Sequence, residues 1–215
     1  MNPARVNVLW GRTGAGKSRL LNVLLADAAK LILVDTLEEH SALAPPVALA
    51  DLYDMARSGG PFRASVYPVD PEDLDWIERL AASRPGVTYA VDEYSWWYPS
   101  ATHQPGPGLL SLVRMGRKLR QRVYLTTQSP AAITKQICDQ AALWVLPLDG
   151  VRDAEYIRAR TRETIDPAEL RPLATDRAGP GGDERVTRTQ LACYYRGARS
   201  DYVLDTVLPA LLPAK

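Results

Sequence analysis

Gly11-Arg12-Thr13-Gly14-Ala15-Gly16-Lys17-Ser18 is the stretch on which the fold turns. It meets the phosphate-loop pattern G-x-x-x-x-G-K-[ST] at every fixed position. The residue types follow from the chemistry. Gly11, Gly14 and Gly16 permit backbone angles that a side chain forbids, so successive N–H groups can turn inward around an anion. Arg12, Thr13 and Ala15 fill the variable positions of the same cradle. Lys17 is placed to reach terminal phosphates, and the Ser18 hydroxyl to ligate a divalent cation. A helix starting here points its positive end at the same charge.

The flanks agree with this reading. Arg5-Val6-Asn7-Val8-Leu9-Trp10 is a short apolar stretch of the kind that forms a buried strand, and Leu20, Leu21, Leu24, Leu25 and Ala28 fall on one helical face. The alternative is a glycine-rich turn that happens to precede a helix; strand, loop and helix in this order argue against it.

Further along, apolar runs alternate with helical patterns. Strands are predicted at Lys30–Asp35, Arg63–Tyr67, Val87–Asp92, Val123–Thr127, Ala142–Leu146 and Gln190–Tyr195. Helices are predicted at 47–57, from Asp70-Pro71 onward, at 109–121, after Ser129-Pro130, at 151–162 and at 166–173. Tyr94 to Gly108 and Asp176 to Thr187 read as loops, and Val203 to Leu212 as an apolar C-terminal segment. The alternation predicts an α/β fold, a mainly parallel sheet with helices on both faces. At 215 residues the chain suits one domain over 1–215, with a core at about 5–160 and an extension at about 163–215.

In such sheets ligands lie at the carboxyl ends of strands. Gly11, Asp35, Asp92-Glu93 and Gln128 all fall at such ends, so one site is expected to gather them. Asp92 and Glu93 follow an apolar strand as a Walker B pair should: Asp92 for Mg²⁺, Glu93 to deprotonate a water. Two solvated acids ending a strand are the alternative, less favoured beside a phosphate loop. Gln128 is placed to sense the terminal phosphate.

Arg114, Arg117, Lys118 and Gln121 recur at i, i+3, i+4 and i+7, and no acid lies between Arg114 and Arg122. Such a run is a solvated face or a phosphate contact, either a neighbouring molecule's nucleotide or DNA. Trp96-Trp97-Tyr98 either packs over a core edge or grips nucleic acid. The net charge of +1 means that nucleic-acid binding needs a local patch. Cys138 and Cys193 form no metal or redox spacing and are expected buried and reduced. No stretch reads as a signal peptide or membrane span.

Together these residues resemble the FtsK/HerA superfamily of DNA-pumping ATPases. Arg114-Met115-Gly116-Arg117-Lys118, then Leu125-Thr126-Thr127-Gln128-Ser129-Pro130, is similar to its arginine-containing helix followed by a strand ending in Thr-Gln. Asp35 with Glu38 and His40 resembles the acidic turn after its second strand. The resemblance spans residues 5 to 160 and implies a RecA-like P-loop NTPase fold, with ATP and Mg²⁺ as cofactors. It further implies an ATP-driven double-stranded DNA translocase working as a homo-oligomeric ring, expected as a hexamer. An arginine in trans would complete each site, with Arg117 first and Arg114 second. The short length is similar to the genome-packaging ATPases of tailless viruses with an internal membrane. That analogy implies work in the host cytoplasm or at a virion's packaging vertex, with a portal or capsid-vertex membrane protein as a further partner. A small-molecule P-loop kinase, a cellular DNA-transfer ATPase of the same superfamily and a nucleotide-gated scaffold are the other readings.

Overall fold

The computed structural model describes residues 4–100, 104–177, 184–205 and 210–213. Six strands run parallel: β1 (Val6–Trp10), β2 (Lys30–Asp35), β3 (Phe62–Val66), β4 (Thr88–Asp92), β5 (Arg122–Thr127) and β6 (Ala141–Val145), side by side as β3-β2-β4-β5-β1-β6. All but the first residues of β2 and β5 and Arg63 of β3 are buried, as expected for a sheet covered on both faces.

Alternate residues feed two cores. Val6, Val8 and Trp10 join Ile32 and Val34 on one face, while Leu9 joins Leu31 and Leu33 on the other. The first face carries α2 (Leu49–Ser58), α3 (Pro71–Ser83), α5 (Pro107–Met115) and α7 (Val151–Arg160), through Leu52, Leu74, Ile77, Leu112 and Ile157. The second carries α1 (Lys17–Leu25), through Leu20, Leu21 and Leu25. Asp70 caps α3 by accepting from the N–H groups of Glu72 and Asp73, both at 2.9 Å, with Pro71 in the first turn. Short helices α4 (Tyr94–Trp97) and α6 (Lys135–Cys138) follow the ends of β4 and β5.

The C-terminal part departs from the sequence expectation. Asp166 does cap a single turn at Pro167–Glu169, but the chain then enters β7 (Pro172–Arg177) where a helix was expected. The loop predicted over Asp176–Thr187 is strand at both described ends, 176–177 closing β7 and 184–187 opening a long β8 (Glu184–Tyr195), and its middle, 178–183, lies outside the described residues. Arg196 and Gly197, both at positive φ, turn the chain into β9 (Ala198–Asp205), and β10 (Ala210–Pro213) follows. These four strands are antiparallel, and β8 pairs with β6 to make one continuous sheet of ten strands among the described residues. A two-residue hairpin with positive φ matches strand twist, so Arg196-Gly197 was the available signal.

Three further expectations need correction. The helix expected over 109–121 begins two residues earlier and stops at Met115. Arg5 stops it: its guanidinium donates to the carbonyls of Leu112 and Val113, closing the helix end. Arg117, Lys118 and Gln121 therefore do not share a helical face with Arg114. Gln121 is instead buried and donates to the carbonyls of Ala81, Ala82 and Arg84 at 2.8–2.9 Å, closing the end of α3. The helix expected after Ser129-Pro130 is a single turn, Pro130–Ala132, then α6; Ile133 and Ile137 are buried as expected. The segment after β4, expected as loop, opens with α4.

α3 and α5 pack closely because Gly108 has no side chain: a Cβ there would stand 2.6 Å from the Arg79 backbone nitrogen. Glu78 is buried at this junction. Its carboxylate accepts from Leu109 N–H at 3.2 Å and from the Tyr98 hydroxyl at 3.3 Å, and that hydroxyl accepts from Gly106 N–H. Burial pushes the Glu78 carboxyl up to about 8, against the pull of the Leu109 bond. Cys138 and Cys193 are buried free thiols, pushed up to about 12 by burial and so inert as nucleophiles. Among the described residues no helix is long and apolar enough to cross a membrane.

Candidate functional site

Strand register aligns the carboxyl ends. Trp10 stands beside Thr127 and Val145, and Asp35 beside Asp92. The glycine loop leaves β1 at this edge. Gly14 and Gly16 have φ of 74° and 98°, and a Cβ on Gly11 would stand 2.9 Å from the Leu146 Cβ. Gly11 can therefore lie against Leu146, just past β6, only without a side chain, while Gly14 and Gly16 take the left-handed backbone that favours glycine. Arg12 anchors it from outside, donating its N–H to the Pro147 carbonyl at 3.0 Å and pairing with Asp149 at 2.7 Å. Lys17 opens α1, and its Nζ donates back to the Arg12 carbonyl at 3.2 Å. Burial lowers the pKa of this ammonium, while the charges of Glu93, Asp92 and Glu39 act to raise it.

Asp92 is held from both sides. Thr126 on β5 donates to its Oδ1 at 2.6 Å, and His40 Nε2 lies 2.9 Å from its Oδ2. The other ring nitrogen of His40 faces Asn22 Oδ1 at 2.7 Å. Both ring nitrogens are thus engaged within the protein, which fixes the plane of the ring. Burial acts to lower the His40 pKa, but the hydrogen bond to Asp92 and the charges of Asp92, Asp35 and Glu39 raise it on balance. Burial likewise acts to raise the Asp92 pKa, but the bonds from His40 and Thr126 bring it below its ordinary value. Asp35 accepts from the N–H groups of Glu39 and His40 at 3.1 and 2.9 Å, shaping the turn that returns His40 to β4.

Asp35, His40 and Asp92 offer ligand atoms within 4.8 Å of one another. Both ring nitrogens of His40 are engaged, by Asp92 and by Asn22, so within this trio the ring braces Asp92. A Mg²⁺ would instead fit the hard oxygens of Ser18 and Asp92. Asp92 stays ionised, and Thr126 and His40 engage only part of its roughly four lone-pair sites.

Glu93 follows with left-handed backbone, φ 56°. Its N–H donates to Thr126 Oγ1 at 2.9 Å, so one hydroxyl aligns both acids. Its carboxylate accepts from Ser95 Oγ at 2.6 Å, from Gln128 N–H at 3.1 Å and from Gln128 Nε2 at 3.1 Å. Thr13 in the glycine loop donates to Gln128 Oε1 at 2.7 Å. A continuous hydrogen-bonded path thus runs from the phosphate loop through Gln128 to Glu93.

Gly11–Ser18, Asp35, Asp92, Glu93 and Gln128 are thus brought to one edge, as the strand pattern anticipated. Arg114 and Arg117 are not: they stand at the opposite end of the sheet, where β1 and β5 begin. Of the aromatic triplet, Trp96 is 63% exposed. Trp97 donates to Thr36 Oγ1 at 3.3 Å, and Tyr98 stacks on Tyr94 at 4.8 Å. His40 as the partner of Asp92, with Asn22 and Thr126, went unassigned in the sequence. A histidine five residues beyond a strand-ending acid was the only signal.

Sheet order, glycine loop and acid pair define a P-loop NTPase fold. The chain is similar over its full length to the genome-packaging NTPase B204 of Sulfolobus turreted icosahedral virus 2 in complex with AMPPCP, with 16% identity, coverage of 100% and 99% of the two chains, and TM-score 0.62. The ATP-gammaS complex of that protein gives 17% identity, 94% and 97% coverage, and TM-score 0.64. B204, the DNA-packaging ATPase from Sulfolobus turreted icosahedral virus, gives 16% identity, 100% and 98% coverage, and TM-score 0.63. No protein-family model matches the sequence, and no curated protein does.

Proposed function

We propose that this chain is a Mg²⁺-dependent ATPase that drives double-stranded DNA through a ring of its own copies, packaging a viral genome into a capsid. The observation that carries the reading is the path Thr13–Gln128–Glu93, which joins the phosphate loop to a carboxylate poised as general base. Loop N–H groups, Lys17 and the end of α1 bind the phosphates. Glu93 takes the proton of the attacking water, and Gln128 orients the carboxylate and meets the terminal phosphate. Ser18 and Asp92 hold Mg²⁺, which when bound neutralises charge on the phosphates. Arg117, with Arg114 second, is offered to a neighbour's nucleotide, since both lie far from their own loop. The full-length likeness to packaging NTPases supports the choice of DNA over a small-molecule acceptor.

The test is hydrolysis of ATP with and without duplex DNA, combined with displacement of a triplex-forming strand and native mass spectrometry. Stimulation by duplex, strand displacement and a closed ring are expected. Stimulation by a nucleoside with a monomeric protein would establish the kinase reading instead. ATP binding without displacement would leave a scaffold.

A further inference from the structure

At the end of the sheet opposite the phosphate loop lies a cleft of about 600 Å³. Six arginines line it: Arg5 before β1, Arg114 and Arg117 at the end of α5, Arg160 and Arg162 at the end of α7, and Arg196 in the β8–β9 turn. Five- and six-residue strands separate it from the phosphate loop by about 17 Å. Among the described residues one carboxylate, Asp139, joins the lining, and Lys135 already pairs it at 2.8 Å. Arg114, Arg117, Arg162 and Arg196 are exposed, and none pairs with a carboxylate among the described residues.

A chain of net charge +1 thus gathers six guanidinium groups in one concave place: Arg5 is bound to the carbonyls of Leu112 and Val113 and Arg160 to the Tyr156 hydroxyl, while the four exposed ones have no carboxylate partner among the described residues. Like charges so close repel, and folding accepts that cost. Burial lowers the pKa of Arg5, and the charge of Arg117 lowers it further. Arg162 and Arg196 also both hold left-handed backbone, with φ of 52° each, an unfavourable place for a long side chain. Guanidinium forks match phosphate oxygens better than any other side chain. A finger reaching a neighbour's nucleotide occupies one or two arginines at the end of α5; of the others, Arg160 donates to the Tyr156 hydroxyl at 3.0 Å and lies over that ring, and Arg196 lies over the Tyr195 ring, contacts that orient the guanidinium groups and leave their charge unneutralised.

We propose that this cleft is a second phosphate-binding site, in which Arg160, Arg162 and Arg196 grip the phosphodiester backbone of duplex DNA. The choice of DNA rests on the proposed function; a nucleotide is the other source of the same phosphate chemistry.

The test uses the double variant Arg162→Asn/Arg196→Asn. Asparagine tolerates left-handed backbone better than arginine, so the fold is expected to persist. Binding of random-sequence duplex is followed by fluorescence anisotropy across a salt series. Each lost phosphate contact lowers the slope of log K against log salt by about 0.9, so the double variant is expected to lose about 1.8. Affinity at low salt falls at least tenfold, while ATP hydrolysis without DNA stays unchanged. Arg162→Lys/Arg196→Lys is expected to keep the wild-type slope; behaviour like that of the asparagine variant would make the role structural and overturn the proposal.

Wild-type binding of DNA with an unchanged slope in the asparagine variant overturns the cleft and leaves the motor reading intact. A wild type that binds no duplex overturns the motor reading and DNA as the ligand together. Tripolyphosphate titrated into a Lys17→Ala background covers the other source: binding lost on Arg162→Asn/Arg196→Asn, with DNA binding intact, would make the cleft a nucleotide site. Loss of the oligomer with DNA binding intact would make it a subunit contact. Either result overturns the DNA assignment.

Discussion

Gln128 grips Glu93 twice: its backbone N–H reaches Oε1 and its side-chain amide reaches Oε2, each at 3.1 Å. The amide oxygen is taken by Thr13, so the orientation of Gln128 is set from the phosphate loop. A carboxylate held at both oxygens keeps one position, which suits the general base proposed for Glu93, and the residue holding it is tied to the phosphate loop.

Gln128→Ala removes one of these bonds and the link to Thr13. The turnover number is expected to fall about tenfold to a hundredfold, the cost of a reacting group misplaced by roughly an ångström. KM for ATP should change less than threefold, which steady-state kinetics checks; an equal change in both would make Gln128 a binding residue only.

Binding and hydrolysis should separate by residue. Lys17→Ala removes a charge-assisted contact to phosphate and is expected to weaken nucleotide binding at least about tenfold, read by titration with a fluorescent ATP analogue. Glu93→Gln should bind ATP yet turn over at least about a hundredfold more slowly. Near-normal turnover by Glu93→Gln would sink the assignment of the base.

Arg117 is proposed to act across a subunit boundary, where a guanidinium in trans is worth about 10³–10⁵ in rate in comparable enzymes. Arg117→Ala and Glu93→Gln should each be nearly inactive alone. Mixed, they are expected to recover ATPase wherever an intact site faces an intact arginine. If both form rings and exchange subunits but no ratio restores activity, Arg117 has no role in trans.

The two tryptophans after the acid pair part company. Trp96 is 63% exposed, and Trp96→Ala should change stability by less than about 0.5 kcal/mol while weakening stimulation by DNA. Trp97 is half-buried and bonded to Thr36, and Trp97→Ala should cost about 2 kcal/mol in urea unfolding. Unaltered stimulation in Trp96→Ala would remove this segment from the DNA path.

Glu78 should make stability depend on pH in an uncommon direction. Its folded pKa of about 8 exceeds the ordinary 4.5, so between these values the native state holds a proton that the unfolded chain has released. Stability therefore falls as pH rises through this window, by up to about 1.4 kcal/mol per pH unit. Glu78→Gln, measured by urea unfolding over the same window, should flatten that slope.

Sequence alone placed the phosphate loop, the Asp92-Glu93 pair and Gln128 at one edge. Each ends a short apolar strand, and a parallel sheet collects such ends regardless of strand order. Local periodicity sufficed, since all these signals lie within a few residues of the groups they position. Strand order belonged to the tertiary structure. Only the adjacency of β2, β4 and β5 brings His40 and Thr126 to Asp92, across 52 and 34 positions of chain. Likewise α5 ends at Met115 because Arg5, more than a hundred positions away, closes it; the local pattern of 109–121 favoured a longer helix. In the C-terminal part Gln190–Tyr195 was legible as strand, but Asp176–Thr187 read as loop, because its Thr, Arg and Asp residues carry weak strand signals until neighbouring strands offer edges to pair with. The arginine cleft is the extreme case. Its arginines come from four separate parts of the chain, each unremarkable alone, and only their convergence concentrates the positive charge on which the proposed phosphate contact rests.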